Sequence, residues 1–330
     1  AMADYPCEPL QGPAAWRGPI EAKARDWVWR LTAPELAELE ALAIKLAASG
    51  RPLSAITHDE VAVRRLAPTL AAWSRKLDEG KGFLLVKGLP VHIWSEPVAE
   101  CAYWALGLHL GQPVAQNKQG DLLGHVRDVG EDPTVPGVRL YKTRAAQDFH
   151  TDGADIIGLF CLTPAKSGGL SRIVSSISVY NEILRRRPDL VPLMFEDFYW
   201  DQEVEAAPGA KPWFRVPICK YENGRLRTFY IGWYIRNAQR FADVPRLTAD
   251  QTALLDLVEE IANDPAFHLD MDFEPGDIQF LKNATILHAR TAYEDWEVPS
   301  RRRHLLRLWL TAPSFKVGDP HLRRGVGASA

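Results

Sequence analysis

At 330 residues, with 46% hydrophobic and 25% charged side chains, the chain has the proportions of an ordinary globular protein and not of a disordered or fibrous one. A formal net charge of −3 gives no bulk attraction to nucleic acid or anionic membrane, and no window approaches the ~18–20 uninterrupted apolar residues of a membrane span. Cys7, Cys101, Cys161 and Cys219 are far apart and form no CxxC pair. They read as free thiols of a reducing compartment, not as a disulfide framework or zinc cradle. The first residues show no basic segment followed by an apolar one, so a cytoplasmic location is expected.

Ala33–Ala48 has apolar residues at helical spacing and stops before Gly50, which predicts a helix. Val61–Leu77 predicts a second amphipathic helix and Gly82–Leu89 a buried strand, and Glu96–Leu110 returns to helical periodicity. From Gln112 to Thr143 the chain is rich in Gly, Pro and Asp and reads as loops and edge strands, including the short apolar piece Gly137–Tyr141. Strands are predicted at Ile156–Leu162, Ser171–Ser175, Phe198–Val204, Trp213–Tyr221, Leu226–Tyr230, Leu269–Phe273, Ile278–Leu281 and His304–Thr311, because each is short, rich in β-branched or aromatic residues and bounded by turn formers. Val179–Arg187 and Thr248–Ala262 are the helical interruptions. The expectation is a mainly β chain with flanking helices, a sandwich or jelly roll and not a parallel α/β sheet. A single domain over 1–330 is expected, mostly helical over 1–111 with the core at about 145–312, and disorder only at the ends, including Gly325–Ala330.

Two segments carry the chemistry. In Phe149–Gly153 (FHTDG), His150 and Asp152 are two residues apart, so on an extended backbone both side chains point to one side and can hold one metal. In Pro275–Arg290 (PGDIQFLKNATILHAR), His288 ends an apolar run. Two histidines and one carboxylate on one face of a metal leave adjacent positions open for a cosubstrate and O₂, the arrangement of non-haem Fe(II) oxygenases. The remaining histidines, including His58, His92, His109, His125, His268 and His321, individually read as capping, packing or solvated groups. A third element follows in Arg303–Leu310 (RHLLRLWL). As a strand it places Arg303, Leu305, Arg307 and Trp309 on one face and His304, Leu306, Leu308 and Leu310 on the other. Two guanidinium groups in an apolar interior require an anionic partner, and a planar guanidinium suits a carboxylate. Arg301 and Arg302 read as a solvated basic loop.

The pieces Gly82–Pro90, FHTD at Phe149–Asp152, SGGLS at Ser167–Ser171, PGD at Pro275–Asp277, NATILHAR at Asn283–Arg290 and RHLLR at Arg303–Arg307 make the chain resemble the taurine dioxygenase-like (TauD/TfdA) family. That family lies in the clavaminate synthase-like group of Fe(II)/2-oxoglutarate enzymes. The resemblance implies a double-stranded β-helix, with His150, Asp152 and His288 as catalytic iron ligands. It implies that Arg303 pairs with the C5 carboxylate of 2-oxoglutarate, and that Ser171, where relatives usually have Thr, hydrogen-bonds the same group. Arg307 falls where several relatives bind an anionic group of the prime substrate. The implied reaction consumes Fe(II)-bound 2-oxoglutarate and O₂, releases succinate and CO₂, and hydroxylates a small molecule, with desaturation, ring closure or epimerisation also open. Retention of Asp152, which related halogenases replace by Gly or Ala, favours hydroxylation.

Departures from the taurine enzyme lie at Gln112, Ala115 and Ala146, where it has a His, a Tyr and an Asn. Losing three polar contacts argues against taurine as substrate. The Gln116–Arg127 segment, with Asn117 and His125, and the aromatics Tyr141, Trp233 and Tyr234 are candidates for the substrate wall. A carboxylate-bearing small molecule is the expected partner, with no nucleic acid and no membrane, and a homo-oligomer is left open. Two alternatives stand beside this reading: a zinc or manganese jelly-roll enzyme with no use for Arg303 and Ser171, and a non-catalytic binding protein on the same fold.

Overall fold

The computed structural model describes residues 4–135, 138–202, 206–312 and 315. In chain order these form α1 (Gly18–Ala24), β1 (Val28–Arg30), α2 (Ala33–Ala48), α3 (Ala67–Asp78), β2 (Phe83–Lys87), α4 (Glu96–Leu110), β3 (Gln112–Pro113), β4 (Leu123–Val126), β5 (Gln147–His150), β6 (Ile156–Thr163), β7 (Ser167–Gly168), β8 (Ser171–Ser175) and α5 (Ser176–Arg186). There follow β9 (Asp197–Asp201), β10 (Trp213–Pro217), β11 (Cys219–Glu222), β12 (Arg225–Thr228), α6 (Gly232–Asn237), α7 (Ala249–Ala262), β13 (Leu269–Met271), β14 (Ile278–Lys282), β15 (Ile286–Arg290), β16 (Tyr293–Glu294) and β17 (His304–Thr311).

Strand parity builds a layered jelly roll. A seven-stranded sheet runs β1-β2-β14-β6-β17-β3, with β4 also on β17, and a four-stranded sheet runs β13-β8-β15-β5. On β17, Leu306, Leu308 and Leu310 face a helical layer containing Leu39, Trp73 and Trp104, which covers the outside of the larger sheet. Leu305 and Trp309 turn inward and pack with Ile173, Met271 and Ile286 between the two sheets. The alternation is that of a strand buried on both faces. Behind the smaller sheet, Val174 and Leu287 pack against Ile183 of α5 and Leu254 and Val258 of α7. Inward side chains of both sheets therefore converge on the space between them.

Several elements differ from expectation. The helix predicted at Val61–Leu77 is α3 alone: Pro68 sits in its first turn, and a residue before proline disfavours helix. The chain before it is instead held by Glu38, whose carboxylate accepts the backbone N–H groups of Arg64, Arg65 and Leu66 at 3.0 Å each. The strand predicted at Trp213–Tyr221 is two strands in two separate hairpins, broken after Pro217, which has no N–H to give to a ladder. The strand predicted from Phe198 is β9, and α6, which carries Trp233, occupies a stretch read only as a candidate wall. Val204, Gly137 and Gly325–Ala330 lie outside the described residues.

Candidate active site

The two histidines are brought together by register. His288 on β15 lies directly opposite His150 on β5, the position at which cross-strand side chains are nearest, and their rings are 4.2 Å apart between centroids. His150 and Asp152 converge as their spacing predicts. β5 ends at His150, and the chain beyond it is fixed by the Asn283 carboxamide. Asn283 accepts the Asp152 N–H at 2.8 Å through Oδ1 and donates to its carbonyl at 2.6 Å through Nδ2. Thr151 is tied in turn to Tyr230, each backbone N–H finding an oxygen of the other residue at 2.8 and 3.0 Å. The Asp152 carboxylate then lies 3.4 Å from His150 Nε2 and 3.2 Å from His288 Nε2.

The donor set suits a divalent metal in charge and in tautomer. Burial alone would raise the Asp152 carboxyl, but the His288 and His150 imidazoles overcome it and hold the group well below the usual carboxylate range. Burial, reinforced by His150, pushes the His288 imidazole down, so it is neutral near pH 7. His150 Nδ1 is 2.8 Å from the Asp148 carbonyl, a partner that would orient the ring with Nε2 inward when a metal binds. Asp152 Oδ2 has no hydrogen-bond partner among the described residues. Neutral imidazole and ionised carboxylate are the states in which these groups bind a metal.

His150 and His288 line a cavity together with Tyr141, Ser171, Arg290, Arg303, Arg307 and the apolar Leu159, Phe273 and Leu305. As the parity of β17 predicts, Arg303 and Arg307 both point inward, and both are buried. Arg303 lies over the Tyr293 ring at 5.0 Å, and its Nη1 has no partner among the described residues. Arg307 lies over Tyr141 at 4.4 Å and donates from Nε to Gln116 Oε1 at 2.8 Å, while its Nη2 is unpartnered. Gln116 closes the clamp by donating from Nε2 to the Arg307 carbonyl at 2.7 Å. Ser171 is buried on the cavity wall, its hydroxyl within 3.2 Å of the Gln279 carboxamide.

Sequence reasoning quoted Arg290 within a motif without giving it a role. The structure places it on the cavity wall, donating from Nη2 to the carbonyls of Leu140, Thr143 and Ala145. Burial, then the nearby Arg303, pushes its guanidinium down to about 10. Its spacing of two from His288 was the available signal.

The glycine pair before Ser171 is a steric requirement. Gly168 and Gly169 both have positive φ, 74° and 69°. A Cβ on Gly168 would fall on the Ala292 carbonyl oxygen, and one on Gly169 would lie 3.0 Å from Arg303 Nε. Gly168→Ala is expected to destabilise the protein by at least about 1–2 kcal/mol, the left-handed backbone penalty alone. Gly169→Ala should also weaken whatever Arg303 binds. Urea unfolding and a thermal-shift titration with 2-oxoglutarate check the two effects.

Among the other candidates, Trp233 stands beside the donors, its ring 5.2 Å from His150, with Tyr234 edge-on behind it at 6.2 Å. Asn117 does not reach the cavity; it closes a surface turn, donating to Asp121 Oδ2 at 2.8 Å. His125 also lies elsewhere. Gly124 and Val126 face inward on β4, so parity sends His125 to the outer face, where its Nδ1 is 2.8 Å from His304 Nε2.

The fold is that of the jelly-roll class of non-haem iron oxygenases. The chain belongs to the taurine catabolism dioxygenase TauD, TfdA family, whose model matches residues 49–309. It is 32% identical over 318 residues to FR-33289 synthase of Streptomyces rubellomurinus, covering 94% of this chain and 92% of that one. It is 29% identical over 313 residues to the taurine hydroxylase-like protein SAT17 of Stachybotrys chartarum, covering 91% and 79%. A solved asparagine oxygenase in complex with Fe(II), 3-hydroxyasparagine and succinate shares the fold, with a TM-score of 0.70 at 17% identity over 92% of this chain and 100% of the other. The chain is thus a 2-oxoglutarate-dependent dioxygenase of small molecules that uses Fe(II), 2-oxoglutarate and O₂, as the motifs implied, and the zinc-enzyme and non-catalytic alternatives fall away. No helix among the described residues is long and apolar enough to cross a membrane.

Proposed function

We propose that the chain works as one catalytic unit over 1–330 and hydroxylates a small carboxylate-bearing metabolite, with His150, Asp152 and His288 holding the iron. Arg303 and Ser171 take the distal carboxylate of 2-oxoglutarate, and Arg307, Tyr141 and Trp233 face the prime substrate. The observation that carries this reading is the convergence on one cavity of His150 and His288, with Asp152 grouped beside them, and of two buried guanidinium groups that each keep an N–H unpartnered among the described residues. Iron, when bound, supplies activation of O₂ coupled to conversion of 2-oxoglutarate to succinate and CO₂.

The remaining work falls to this chain's side chains. Arg303 orients one carboxylate, held in place by the Tyr293 ring below it. Gln116 fixes the rotamer of Arg307 by occupying Nε, which leaves the Nη2 edge to an incoming anion. Leu159, Phe273 and Leu305 keep water from the reacting volume, and the fixed anion aims a C–H bond at the metal. Taurine is disfavoured, because Gln112, Ala115 and Ala146 offer none of the side-chain contacts that the taurine enzyme makes at those places.

An anaerobic titration tests the metal and cosubstrate assignments. Adding Fe(II) and then 2-oxoglutarate to the metal-free protein should give the weak visible charge-transfer band of a chelated keto acid. Folded, iron-loaded protein without the band overturns them. With both present, a thermal-shift screen should single out carboxylates over neutral isosteres, and stabilisation only by neutral compounds overturns the substrate reading.

A further inference from the structure

On the outer face of the larger sheet, a second group of metal-type ligands gathers that the catalytic cavity does not use. β4 and β17 are paired with Leu306 opposite His125, so His304, two residues along, is the diagonal neighbour of His125 on the same outward face. The first turn of α4 lies over this spot and contributes Glu96, with Glu100 one helical turn on. His125 Nδ1 is 2.8 Å from His304 Nε2, with the rings stacked at 5.0 Å and 29° between planes. One donor atom each from Glu96, His125 and His304 lies within 4.8 Å of the others. Glu100 Oε1 stands 4.0 Å from the other nitrogen of His125.

The donor atoms are close enough to be drawn around one cation. With metal–nitrogen bonds of ~2.0–2.1 Å, two nitrogens on a tetrahedral metal lie about 3.3 Å apart, so the imidazole pair, 2.8 Å apart here, would open by about half an ångström to admit one. In the catalytic cavity, the donors of the family's iron site stand 3.2 and 3.4 Å apart in the same structure. A hydrogen bond between the two imidazoles satisfies one nitrogen pair; beside it stand Glu96, in the first turn of α4 where a carboxylate suits the helix N-terminus, and Glu100 one turn on, whose like charge costs the helix some stability.

The electrostatics point the same way. Burial, then Glu96, raises the Glu100 carboxyl. Burial pushes the His304 imidazole down to about 4, and burial with Arg127 lowers His125. Two imidazoles with two carboxylates form a set that suits zinc and neighbouring first-row divalent ions better than calcium or magnesium.

We propose that Glu96, His125 and His304, with Glu100 alongside, form a second divalent-cation site of the zinc class, separate from the catalytic donors. A cation there ties the start of α4 to β4 and β17, the strand whose opposite face carries Arg307. The inference does not depend on which anion the cavity takes.

Chelator-stripped full-length protein, titrated with zinc chloride against a chromophoric chelator, tests it. Wild type should take up two equivalents, and His288→Ala should keep the outer one. His125→Asn should lose the outer one while retaining the catalytic site. Glu96 is exposed, so Glu96→Gln leaves the fold intact and decides the matter if His125→Asn fails to fold. It should weaken the outer equivalent by more than about tenfold, a loss that even a change beyond the ligands produces at metal sites. With Co²⁺, visible ligand-field absorption should persist in His288→Ala and vanish in His288→Ala/His125→Asn. A single equivalent in wild type, or equal uptake by wild type and Glu96→Gln, overturns the proposal.

Discussion

His288→Ala is expected to abolish the visible band that Fe(II) and 2-oxoglutarate give together, and to lower turnover by well over the ~10–100-fold that changes merely orienting a metal ligand produce. His288 faces His150 across β15 and β5 and shares the Asp152 carboxylate with it, so its removal leaves two donors where three are needed to fix a facial site. The fold should survive. The imidazole sits at the cavity wall and not in the aliphatic core, and truncating it relieves a buried ring nitrogen, Nδ1, that has no partner among the described residues. Far-UV circular dichroism and the unfolding midpoint should therefore change little while iron uptake in the cavity is lost. Retention of the band in the folded variant would remove His288 from the ligand set.

Arg303→Met should separate cosubstrate binding from stability. The guanidinium is buried by the apolar lining, and burial pushes its pKa down although Tyr293 opposes this; an arginine nevertheless stays charged. Removing one partner of a buried, hydrogen-bonded charge pair typically costs ~2–5 kcal/mol, so KM for 2-oxoglutarate should rise by at least about 30-fold. The ligand-free protein should behave in the opposite sense. An unpaired buried cation is a burden that an apolar side chain of similar volume relieves, so the Met variant should unfold at an equal or higher temperature without ligand. It should lose the extra stability that wild type gains from saturating 2-oxoglutarate, about 2.7 kcal/mol at a hundredfold excess over Kd. Arg307→Met should leave the 2-oxoglutarate KM within a few-fold and raise that of the prime substrate. If the two variants exchange these phenotypes, the roles assigned to the arginines are reversed.

Much of the placement of the candidate site was legible because strand parity is a local property. The two-residue period of Arg303–Leu310 against alternating leucines placed both arginines inside before any partner strand was known, and β17 spans the predicted His304–Thr311. The same rule applied to β4 would have separated Val126 from His125. That segment's glycines and acids hid the strand, and the whole Gln116–Arg127 stretch was read as wall. Gln116 was within it, but its pairing with Arg307 spans 191 positions, a distance over which composition carries no signal. The support of Asp152 was hidden for the same reason: its backbone is held by Asn283, 131 positions away. The false start of α3 has a local cause that was visible, Pro68, while Glu38 holding three backbone N–H groups was not.

The three carbonyls gathered by Arg290 have a mechanical consequence. The loop through Leu140 and Ala145, which sets Tyr141 against Arg307, is suspended from the same strand that carries His288, two residues away. The rim proposed to meet the substrate and the strand that carries the proposed ligand His288 therefore share one hinge pin. A sequence change that reshapes the rim for a new molecule pulls on the strand as well, so a shift in substrate preference should first be felt as poorer coupling between 2-oxoglutarate consumption and product. Substitutions at Gln116, which reaches Arg307 from a different connection, escape that linkage and leave the metal frame unstressed.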